Sequence, residues 1–394
     1  MFPPVRFRIL NIGLDRGLLD SSGQSESQTR QLIYATEIPA EIVHLVKSPR
    51  NTNSVTRTLC EGRVTVRAVP VLHWVCFPFA TAWVGAKLLK ERKFDLIQVQ
   101  EPLVSGSAGL YLAWRFRLPL VAGAFTDQIA NPEWVSKSIV NRLANLAGSF
   151  VYRRCDAIRA DSLAVMQRLQ IGGFLHACFV PFLITNAEQL AQPAAEVEIV
   201  RRRLLGGRSG VLLLAVTRLE QEKNLELMLH AVEEVVKSMN DVVLAVIGDG
   251  SLREQLQRRF SAEWIRWLGW IPNTELAAYY QAADLSLLSS DIESSARVLT
   301  ESLLAGTPVL TTDTAGAREV IEDTRSGRIV PVGDRNEFAR TLLELCKDSD
   351  QLEAMGKYGQ RSVSGRMSRA NVIAELRQLF VRVVRRHRGE PVVV

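Results

Sequence analysis

Cysteine and histidine are scarce in this chain, and neither is arranged as a metal site requires. The 394 residues include five cysteines and five histidines. No two histidines form an HxxxH pattern, and the histidines are scattered along the chain, so we expect no metal to be bound. The cysteines lack paired spacing, which predicts reduced thiols in a cytoplasmic protein rather than a disulfide framework. They are Cys60, Cys76, Cys155, Cys178 and Cys346.

The chain also lacks the glycine fingerprint of a dinucleotide site, internal repeats and low-complexity tracts. Gly248-Asp249-Gly250 follows an apolar run, but the third glycine of the fingerprint is missing. Asp348-Ser349-Asp350 has the spacing of a metal-binding DxD. Because it joins two helical patterns, we predict a helix cap there instead.

Charge is unevenly distributed along the chain. The whole sequence has a net charge of +6, whereas residues 1–185 hold 21 Lys and Arg against 13 Asp and Glu and carry +8. No stretch interleaves aromatic and basic residues, so we expect no nucleic-acid partner. Met1-Phe2-Pro3 leads straight into a predicted strand, and we therefore expect no amino-terminal signal.

The stretch from Ala68 to Ala86 contains no charged residue and approaches the length of a membrane span. Two prolines and a histidine interrupt it, which favours a strand, a loop and a helix of ordinary core. Two alternatives stay open: a true span, or an interfacial patch on an anionic membrane surface. The residues of that patch would be Trp74, Phe77, Phe79 and Trp83, beside Lys87, Lys90 and Lys93.

Strand and helix patterns alternate in both halves, which predicts α/β architecture with mostly parallel sheets. The length favours two domains. We place them at 1–185 and 186–367, and we assign residues 368–394 to a last helix with a basic tail. Strands are predicted at Arg6 to Ile12, Glu41 to Val46, Val64 to Ala68, Leu96 to Val99, Leu120 to Phe125, Ala157 to Ala160, Leu212 to Val216 and Leu285 to Leu288.

Two glutamates eight positions apart, Glu293 and Glu301, are the most informative pair in the sequence. Glu293 follows a predicted strand and Glu301 lies in the next helix, so both could face one pocket at the carboxyl edge of a sheet. Arg218 and Lys223 likewise follow a strand and precede a helix, a place that suits a diphosphate. A solvated helix face and ordinary surface cations remain the alternatives.

These residues belong to a series of motifs that resembles a known family. VTRLEQEKN, AVIGDGSLREQL, WLGWIPNTELAAYYQAADLSLLSS, ESSARVLTESLLAGTPVLTTD and RSGRIVPVGD follow one another between about Val211 and Asp334. Their order resembles the donor-binding half of glycosyltransferase family 4, and the first half of the chain is similar to it more loosely. The resemblance implies the GT-B fold: two facing Rossmann-like domains, with the last helix crossing back to the first.

The resemblance also implies an activity without an obligatory metal or cofactor. A sugar would pass from a nucleoside-diphosphate-sugar to the hydroxyl of a sugar, lipid-linked or small-molecule acceptor, with retention of configuration. We expect this in cell-surface glycan or glycolipid synthesis, in the cytoplasm or at the inner face of the membrane. The second domain would bind the donor and the first the acceptor.

Individual roles follow from the same resemblance. Arg218 and Lys223 would hold the diphosphate, Glu293 the transferred sugar and Glu301 the ribose. Further donor contacts are expected from Ser294, Ser295, Arg297 and Val298, from Trp270 and Ile271 beside the base, and from Gly23. The acceptor-side residues are Glu101, Phe125 and Asp127.

Three residues depart from the family pattern. The family usually has glycine where this chain has Ser294 and Ala296, and often has histidine where this chain has Phe125. Glycine lets the backbone approach a ligand closely, so these changes bear on catalysis. They leave open a catalytically weakened nucleotide-sugar-binding protein of the same fold.

Overall fold

Two packed units make up the described part of the chain. The computed structural model describes residues 7–20, 25–49, 56–59, 62–321 and 324–391. The first unit contains the chain up to Thr185 together with Ala370 onward, and the second runs from Asn186 to Arg369. Each unit has its own sheet and its own apolar core.

The first unit is built on a sheet of eight strands in the order β3-β4-β2-β1-β5-β6-β7-β8. All pairs are parallel except β3 with β4. The strands are β1 Phe7–Gly13, β2 Ala40–Pro49, β3 Thr56–Leu59, β4 Val64–Val71, β5 Leu96–Val99, β6 Leu120–Ala124, β7 Ala157–Ala160 and β8 Ala177–Phe179.

Helices cover both faces of this sheet, because its strands carry apolar residues on both sides and must be shielded from water twice. Short 3-10 turns at Arg16–Leu19 and Trp74–Cys76 precede the first two helices. The helices are α1 Glu26–Glu37, α2 Phe77–Glu91, α3 Val104–Phe116, α4 Pro132–Ser136, α5 Ile139–Tyr152 and α6 Leu163–Ile171.

The second unit is built on six parallel strands in the order β11-β10-β9-β12-β13-β14. These are β9 Val211–Val216, β10 Val242–Ile247, β11 Ile265–Gly269, β12 Leu285–Leu288, β13 Val309–Thr312 and β14 Gly327–Val330. Its helices are α7 Ala187–Ala191, α8 Val197–Leu205, α9 Leu225–Val236, α10 Arg253–Arg259, α11 Leu276–Ala282, α12 Arg297–Leu304, α13 Ala315–Val320, α14 Arg335–Cys346 and α15 Ser349–Arg366.

The last helix, α16 Arg369–His387, returns to the first unit. Its apolar side packs in the same core as β1, where the rings of Phe7 and Phe380 lie 6.2 Å apart. The buried residues of this side recur every three or four positions, as an amphipathic helix requires. They are Val372, Ile373, Leu376, Leu379, Phe380, Val383 and Val384.

Several local predictions are confirmed. β5, β7 and β12 have the predicted limits. Asp348 caps α15, where its carboxylate accepts the backbone N–H of Gln351 at 2.8 Å. The sequence did not predict β3 and β8, which have only four and three residues. Both lie at the edges of the sheet and are only partly buried, whereas the equally short β5, β7 and β12 are buried along their whole length. A partly exposed strand of this length shows no clear apolar pattern.

The uncharged stretch from Ala68 to Ala86 forms the end of β4, a 3-10 turn and most of α2, as predicted for ordinary core. Within the ranges given above, no helix combines the length and apolarity that crossing a membrane requires. Trp74, Phe79 and Trp83 are exposed, but Phe77 is fully buried in the core. The prediction that Phe77 belongs to a surface patch is therefore wrong, because the first turn of α2 directs it toward the sheet.

Gly248 is the most sharply constrained position in the second unit. Its φ is +140°, and a Cβ atom there would lie 1.8 Å from the carbonyl oxygen of Thr217. We expect Gly248→Ala to lower the free energy of unfolding by about 2 kcal/mol or more, since overpacking and backbone strain add. Calorimetric melting of wild type and variant measures the loss.

Gly365 provides the matched control for this substitution. It lies near the end of α15, and a Cβ atom there would meet nothing within 4 Å. Because alanine is the better helix former, Gly365→Ala should leave the melting temperature unchanged or raise it slightly. Equal effects of the two substitutions would contradict the steric explanation.

Candidate functional site

The strand order of the second sheet reverses between β9 and β12. From β9 the sheet extends through β10 to β11, and from β12 it extends the other way through β13 to β14. Because β9 and β12 are adjacent and parallel, residues 217–224 and 289–296 leave the same edge. In open α/β sheets, such a reversal creates a crevice at the carboxyl ends of the strands, where ligands bind.

Glycines allow the segment after β9 to pack against the segment after β10. A Cβ atom at Gly250 would lie 2.4 Å from the carbonyl oxygen of Leu219, whose N–H donates to the carbonyl of Asp249 at 3.0 Å. Ser251 donates its hydroxyl and its N–H to the carboxylate of Glu220, at 2.6 and 3.0 Å. These bonds lower the pKa of Glu220 and hold residues 218–223 in place.

Lys223 and Glu293 form the centre of the site. The ammonium of Lys223 donates to Oε1 of Glu293, which also accepts the hydroxyl of Ser290 at 3.0 Å. Each side chain of the ion pair is 13% exposed. The pair joins the two segments that leave the sheet at the reversal.

A second contact between the same segments sets the position of Lys223. Asn224 adopts a left-handed conformation with φ of +43°, which asparagine tolerates better than most residues. Its side-chain amide donates to Asp291 at 2.8 Å, and the hydroxyl of Ser289 donates to its carbonyl at 2.9 Å. The chain therefore turns between Lys223 and α9 in a fixed conformation.

Arg218 occupies a different environment from Lys223. Its side chain is 69% exposed and donates to Glu222 at 2.8 Å. Surface ion pairs contribute only about 0–1 kcal/mol, so an anion can replace Glu222 at small cost. The site thus contains one largely buried cation and one exposed cation, each already paired with a carboxylate.

Glu301 lies in α12 and is 94% buried, at 6% relative exposure. It accepts the hydroxyl of Tyr280 at 3.1 Å. Burial and the nearby Glu301 carboxylate raise the pKa of Tyr280 well above its usual range, which keeps this hydroxyl a neutral donor. The sequence did not single out Tyr280; its only signal is a place on the apolar side of α11, one turn from Leu276.

The two residues that stand where the family has glycine do not adopt positive φ angles. Ala296 has φ of −77° and is buried, and Ser294 is not among the residues with positive φ. The close approach is made by Gly316 instead, where a Cβ atom would lie 2.7 Å from the backbone nitrogen of Ala296. Gly316 also donates its N–H to the carbonyl of Glu293 at 2.9 Å. Sequence reasoning missed Gly316.

The remaining predicted donor residues of this unit lie around the same edge. Ser294 and Ser295 are half-buried between β12 and α12, and Arg297 and Val298 begin α12. Trp270 and Ile271 follow β11, with the indole of Trp270 65% exposed. No group of three His, Cys, Asp or Glu side chains that could hold a metal occurs among the residues that the structure describes.

In the first unit, Glu101 caps α3: its carboxylate accepts the N–H groups of Leu103, Val104 and Ser105. Glu101 therefore has a structural role in holding the first turn of α3, and its acceptor-side role stays a prediction. Gly23 lies outside the described residues.

Phe125 and Asp127 follow β6 at the carboxyl edge of the first sheet. The Phe125 ring contacts the ring of Phe182 edge-on at 6.5 Å and lies 5.5 Å from the guanidinium of Arg159. Asp127 forms an ion pair with Arg168. Both side chains are partly exposed at the edge where parallel sheets bind ligands.

Two family models match the chain. The model described as glycosyl transferases group 1 matches residues 201–362, and the one described as a glycosyl transferase 4-like domain matches residues 31–174. Together they cover more than half of the chain.

Curated relatives resemble part of the sequence. The alpha-monoglucosyldiacylglycerol synthase of Streptococcus pneumoniae is 26% identical over 62% of this chain and 57% of its own length. A GDP-mannose-dependent alpha-mannosyltransferase of Mycobacterium tuberculosis is 28% identical over 61% of each protein. This chain therefore spans less than two thirds of the length of either relative.

Solved structures resemble nearly the whole chain. Sucrose-phosphate synthase from Thermosynechococcus elongatus has a TM-score of 0.80 at 17% identity, covering 96% of this chain and 99% of that one. Anabaena HepE in complex with UDP and glucose has a TM-score of 0.74 at 18% identity, covering 95% and 99%. At these identities the likeness shows the fold, which is GT-B. The chain belongs to glycosyltransferase family 4.

Proposed function

We propose that this protein is a glycosyltransferase that moves a sugar from a nucleoside-diphosphate-sugar to the hydroxyl group of an acceptor. The observation that carries the proposal is the Lys223–Glu293 pair at the strand reversal of the second sheet. A cation for the diphosphate and a carboxylate for sugar hydroxyls meet there at the edge where such sheets bind ligands. Family membership supports the same activity.

The donor diphosphate would bind Lys223 and Arg218. Binding exchanges one carboxylate partner for phosphate oxygens at each cation, with Glu222 released from Arg218 and Glu293 freed to bind the sugar. The first turn of α12, at Arg297 and Val298, adds backbone N–H groups to the same place. The charge of the diphosphate is thereby balanced by the protein itself, so we propose that no metal is required.

Catalysis would follow from the charge that develops on the diphosphate. As the bond between the anomeric carbon and the diphosphate oxygen breaks, negative charge grows on that oxygen, and preorganised cations stabilise it. The acceptor hydroxyl forms the new bond to the anomeric carbon and gives its proton to the departing diphosphate oxygen. Retention of configuration is proposed from the family.

Glu301 would bind the ribose hydroxyls, and residues near Trp270 and Ile271 the base. The buried hydroxyl of Tyr280 holds the Glu301 carboxylate in one orientation while leaving it further acceptor capacity. In the first unit, Phe125 and Asp127 are among the proposed acceptor-side residues. The names of relatives that act on glycolipids support a lipid-linked acceptor.

An anionic membrane surface is a further proposed partner, with the exposed side of α2 as its contact. Phe79, Trp83, Lys87 and Lys90 are spaced along one side of this helix and are all exposed. Aromatic residues followed by lysines suit the boundary between lipid headgroups and acyl chains.

Removing either cation should reduce turnover. We expect Arg218→Ala and Lys223→Ala each to lower the rate of donor hydrolysis about a hundredfold, because each removes a preorganised charge partner of the leaving group. The donor is the UDP- or GDP-sugar that raises the melting temperature most in a thermal-shift screen, and released nucleoside diphosphate measures the rate.

Arg340→Ala is the matched control, since Arg340 in α14 also forms an exposed ion pair, with Glu337. It should leave the rate unchanged. Wild-type rates in both site variants would refute the diphosphate site.

Donor binding with no hydrolysis or transfer in wild type would instead favour the catalytically weakened binding protein. The assays contain a chelator, and an absolute requirement for magnesium would contradict the metal-free site.

The two glutamates should affect different parts of the donor. Glu301→Gln should weaken binding of the nucleoside diphosphate about tenfold, because a charged acceptor of ribose hydrogen bonds is lost. Glu293→Gln should retain or strengthen that binding, since the ammonium of Lys223 no longer has a competing carboxylate. Calorimetric titration with the nucleoside diphosphate measures both.

The same titration with the intact donor completes the comparison. Glu293→Gln should then bind the donor more weakly than wild type does, because its contact is with the sugar. Equal losses for both ligands in both variants would show that the two roles are not divided between these glutamates.

The contact of α2 with lipid predicts a salt-dependent association with vesicles. Wild type should sediment with vesicles of phosphatidylglycerol and phosphatidylcholine at low salt, less so at high salt, and a Lys87→Glu, Lys90→Glu, Lys93→Glu variant should stay in the supernatant. Each near-surface cation contributes about 1 kcal/mol to such binding. Wild type that remains in the supernatant at low salt would exclude this partner.

A further inference from the structure

Helix α5 has its polar side turned inward and its apolar side turned outward. Asn141, Asn145, Gly148 and Tyr152 occupy one side and contact the first unit: Asn145 accepts the N–H of Ala130 at 2.9 Å and Asn141 donates to the carbonyl of Trp134 at 2.8 Å. Gly148 lies against Ile129. A residue advances about 100° around a helix, so residues two positions earlier face the opposite way.

That opposite side is a continuous apolar stripe. Its members, Ile139, Leu143, Leu146 and Phe150, are between 51% and 73% exposed, and Val140 beside them is equally exposed. Globular helices normally show the reverse arrangement, with the apolar side in the core. Contiguous apolar surface of this kind marks an interaction site.

The stripe continues onto the neighbouring helix. α3 packs beside α5 and exposes Tyr111 and Trp114, and a groove of about 960 Å³ runs between the two helices. Its walls are mostly apolar and include Leu110, Trp114 and Phe150. α3 in turn packs against α2, so the three helices lie on one face of the sheet.

The charge on this surface selects the kind of partner. Between Trp134 and Cys155 the sequence contains four exposed cations and no acidic residue. Asp156, which lines the groove, is half-buried and accepts the N–H of Leu120 at 2.8 Å. α3 likewise contains an arginine and no acidic residue, with a second arginine directly after it. A second copy of this chain would bring like charges together, whereas an anionic bilayer supplies both the opposite charge and an apolar interior.

We propose that the surface formed by α3 and the outward stripe of α5 inserts into the headgroup region of an anionic bilayer. This inference rests on the proposed membrane partner and adds that α5, rather than α2 alone, provides the apolar anchor. The helix is 14 residues or about 21 Å long, so it lies along the interface and does not cross it. Arg142 and Arg154 bind lipid phosphates, and Arg154 already stacks on the ring of Phe150 at 3.7 Å.

The orientation also relates the anchor to the proposed acceptor edge. The segment between β6 and α5 carries Asp127, and the inward asparagines of α5 hold that segment. α5 begins where this segment ends, at the carboxyl edge of the first sheet. A lipid-linked hydroxyl in the outer part of the bilayer would thus lie near the edge at which Phe125 and Asp127 stand.

The test compares two triple variants of the full-length protein. Leu143→Ser, Leu146→Ser and Phe150→Ser together remove the stripe without touching the core. The control replaces three other exposed residues, Ile171→Ser, Leu175→Ser and Ile199→Ser, which lie elsewhere. Vesicles of phosphatidylcholine with and without phosphatidylglycerol are the probe, and the readout is the partition coefficient from sedimentation.

We expect the stripe variant to lose about tenfold or more in binding to anionic vesicles while the control binds as wild type does, because insertion scales with apolar area. The emission of Trp114 adds a measure of depth. Phosphatidylcholine brominated in the acyl chain should quench the tryptophan emission of wild type more than that of Trp114→Phe. When Trp114→Phe is added to the stripe variant, it should no longer change the quenching.

Two outcomes would overturn the inference. One is wild-type vesicle binding by the stripe variant, which would leave α2 as the contact. The other is lipid-free self-association that the stripe variant abolishes, with no binding of wild type to anionic vesicles, which would assign the surface to a second copy. Vesicle binding is measured without turnover, and donor hydrolysis is measured without vesicles. A failure of the membrane inference can therefore be distinguished from a failure of the proposed activity.

Discussion

The ion pair between Lys223 and Glu293 is the contact on which the candidate site depends. Both groups are largely withdrawn from water, and a buried charge left without its partner costs about 3–5 kcal/mol. The empty site therefore needs each residue to neutralise the other. A donor that brings a diphosphate and sugar hydroxyls offers replacement partners to both at once. The same pair consequently explains how the site stays ordered before the donor binds and why a nucleoside diphosphate alone would leave Glu293 unsatisfied.

The pair can form only because backbone segments approach one another closely. Gly248 and Gly250 bring the segment after β10 against the segment that carries Arg218, and Gly316 lets α13 contact the backbone beside Glu293. Ser294 and Ala296 fit the backbone conformation of this segment. Neither has a positive φ, and the small residue that the packing demands is provided by Gly316 from the other side.

Strands and their ends were predictable from the sequence because a buried parallel strand is a short apolar run with polar residues after it, as at β12 and Glu293. The partners of individual side chains were not predictable from the sequence. Glu101 follows a strand as Glu293 does, yet it caps α3, and nothing in its spacing distinguishes the two. Phe77 and Phe79 lie two residues apart in one uncharged stretch, but the turn of α2 buries one and exposes the other. Tyr280 and Gly316 are defined by contacts with residues far along the chain, which no local pattern encodes.

The inverted polarity of α5 shows where local patterning and tertiary structure conflict. Its periodicity is that of any amphipathic helix, and the pattern alone would place Leu143 and Leu146 in the core. The backbone between β6 and α5 decides otherwise, because its N–H and carbonyl groups need partners and Asn141 and Asn145 provide them. Each of these backbone groups would cost about 1–3 kcal/mol if it were left buried without a partner. Each leucine exposed in exchange forfeits a transfer free energy of about 1.5–3 kcal/mol. The inward side of α5 is therefore explained by its hydrogen bonds within the first unit, and its outward side is the surface for which we propose a bilayer.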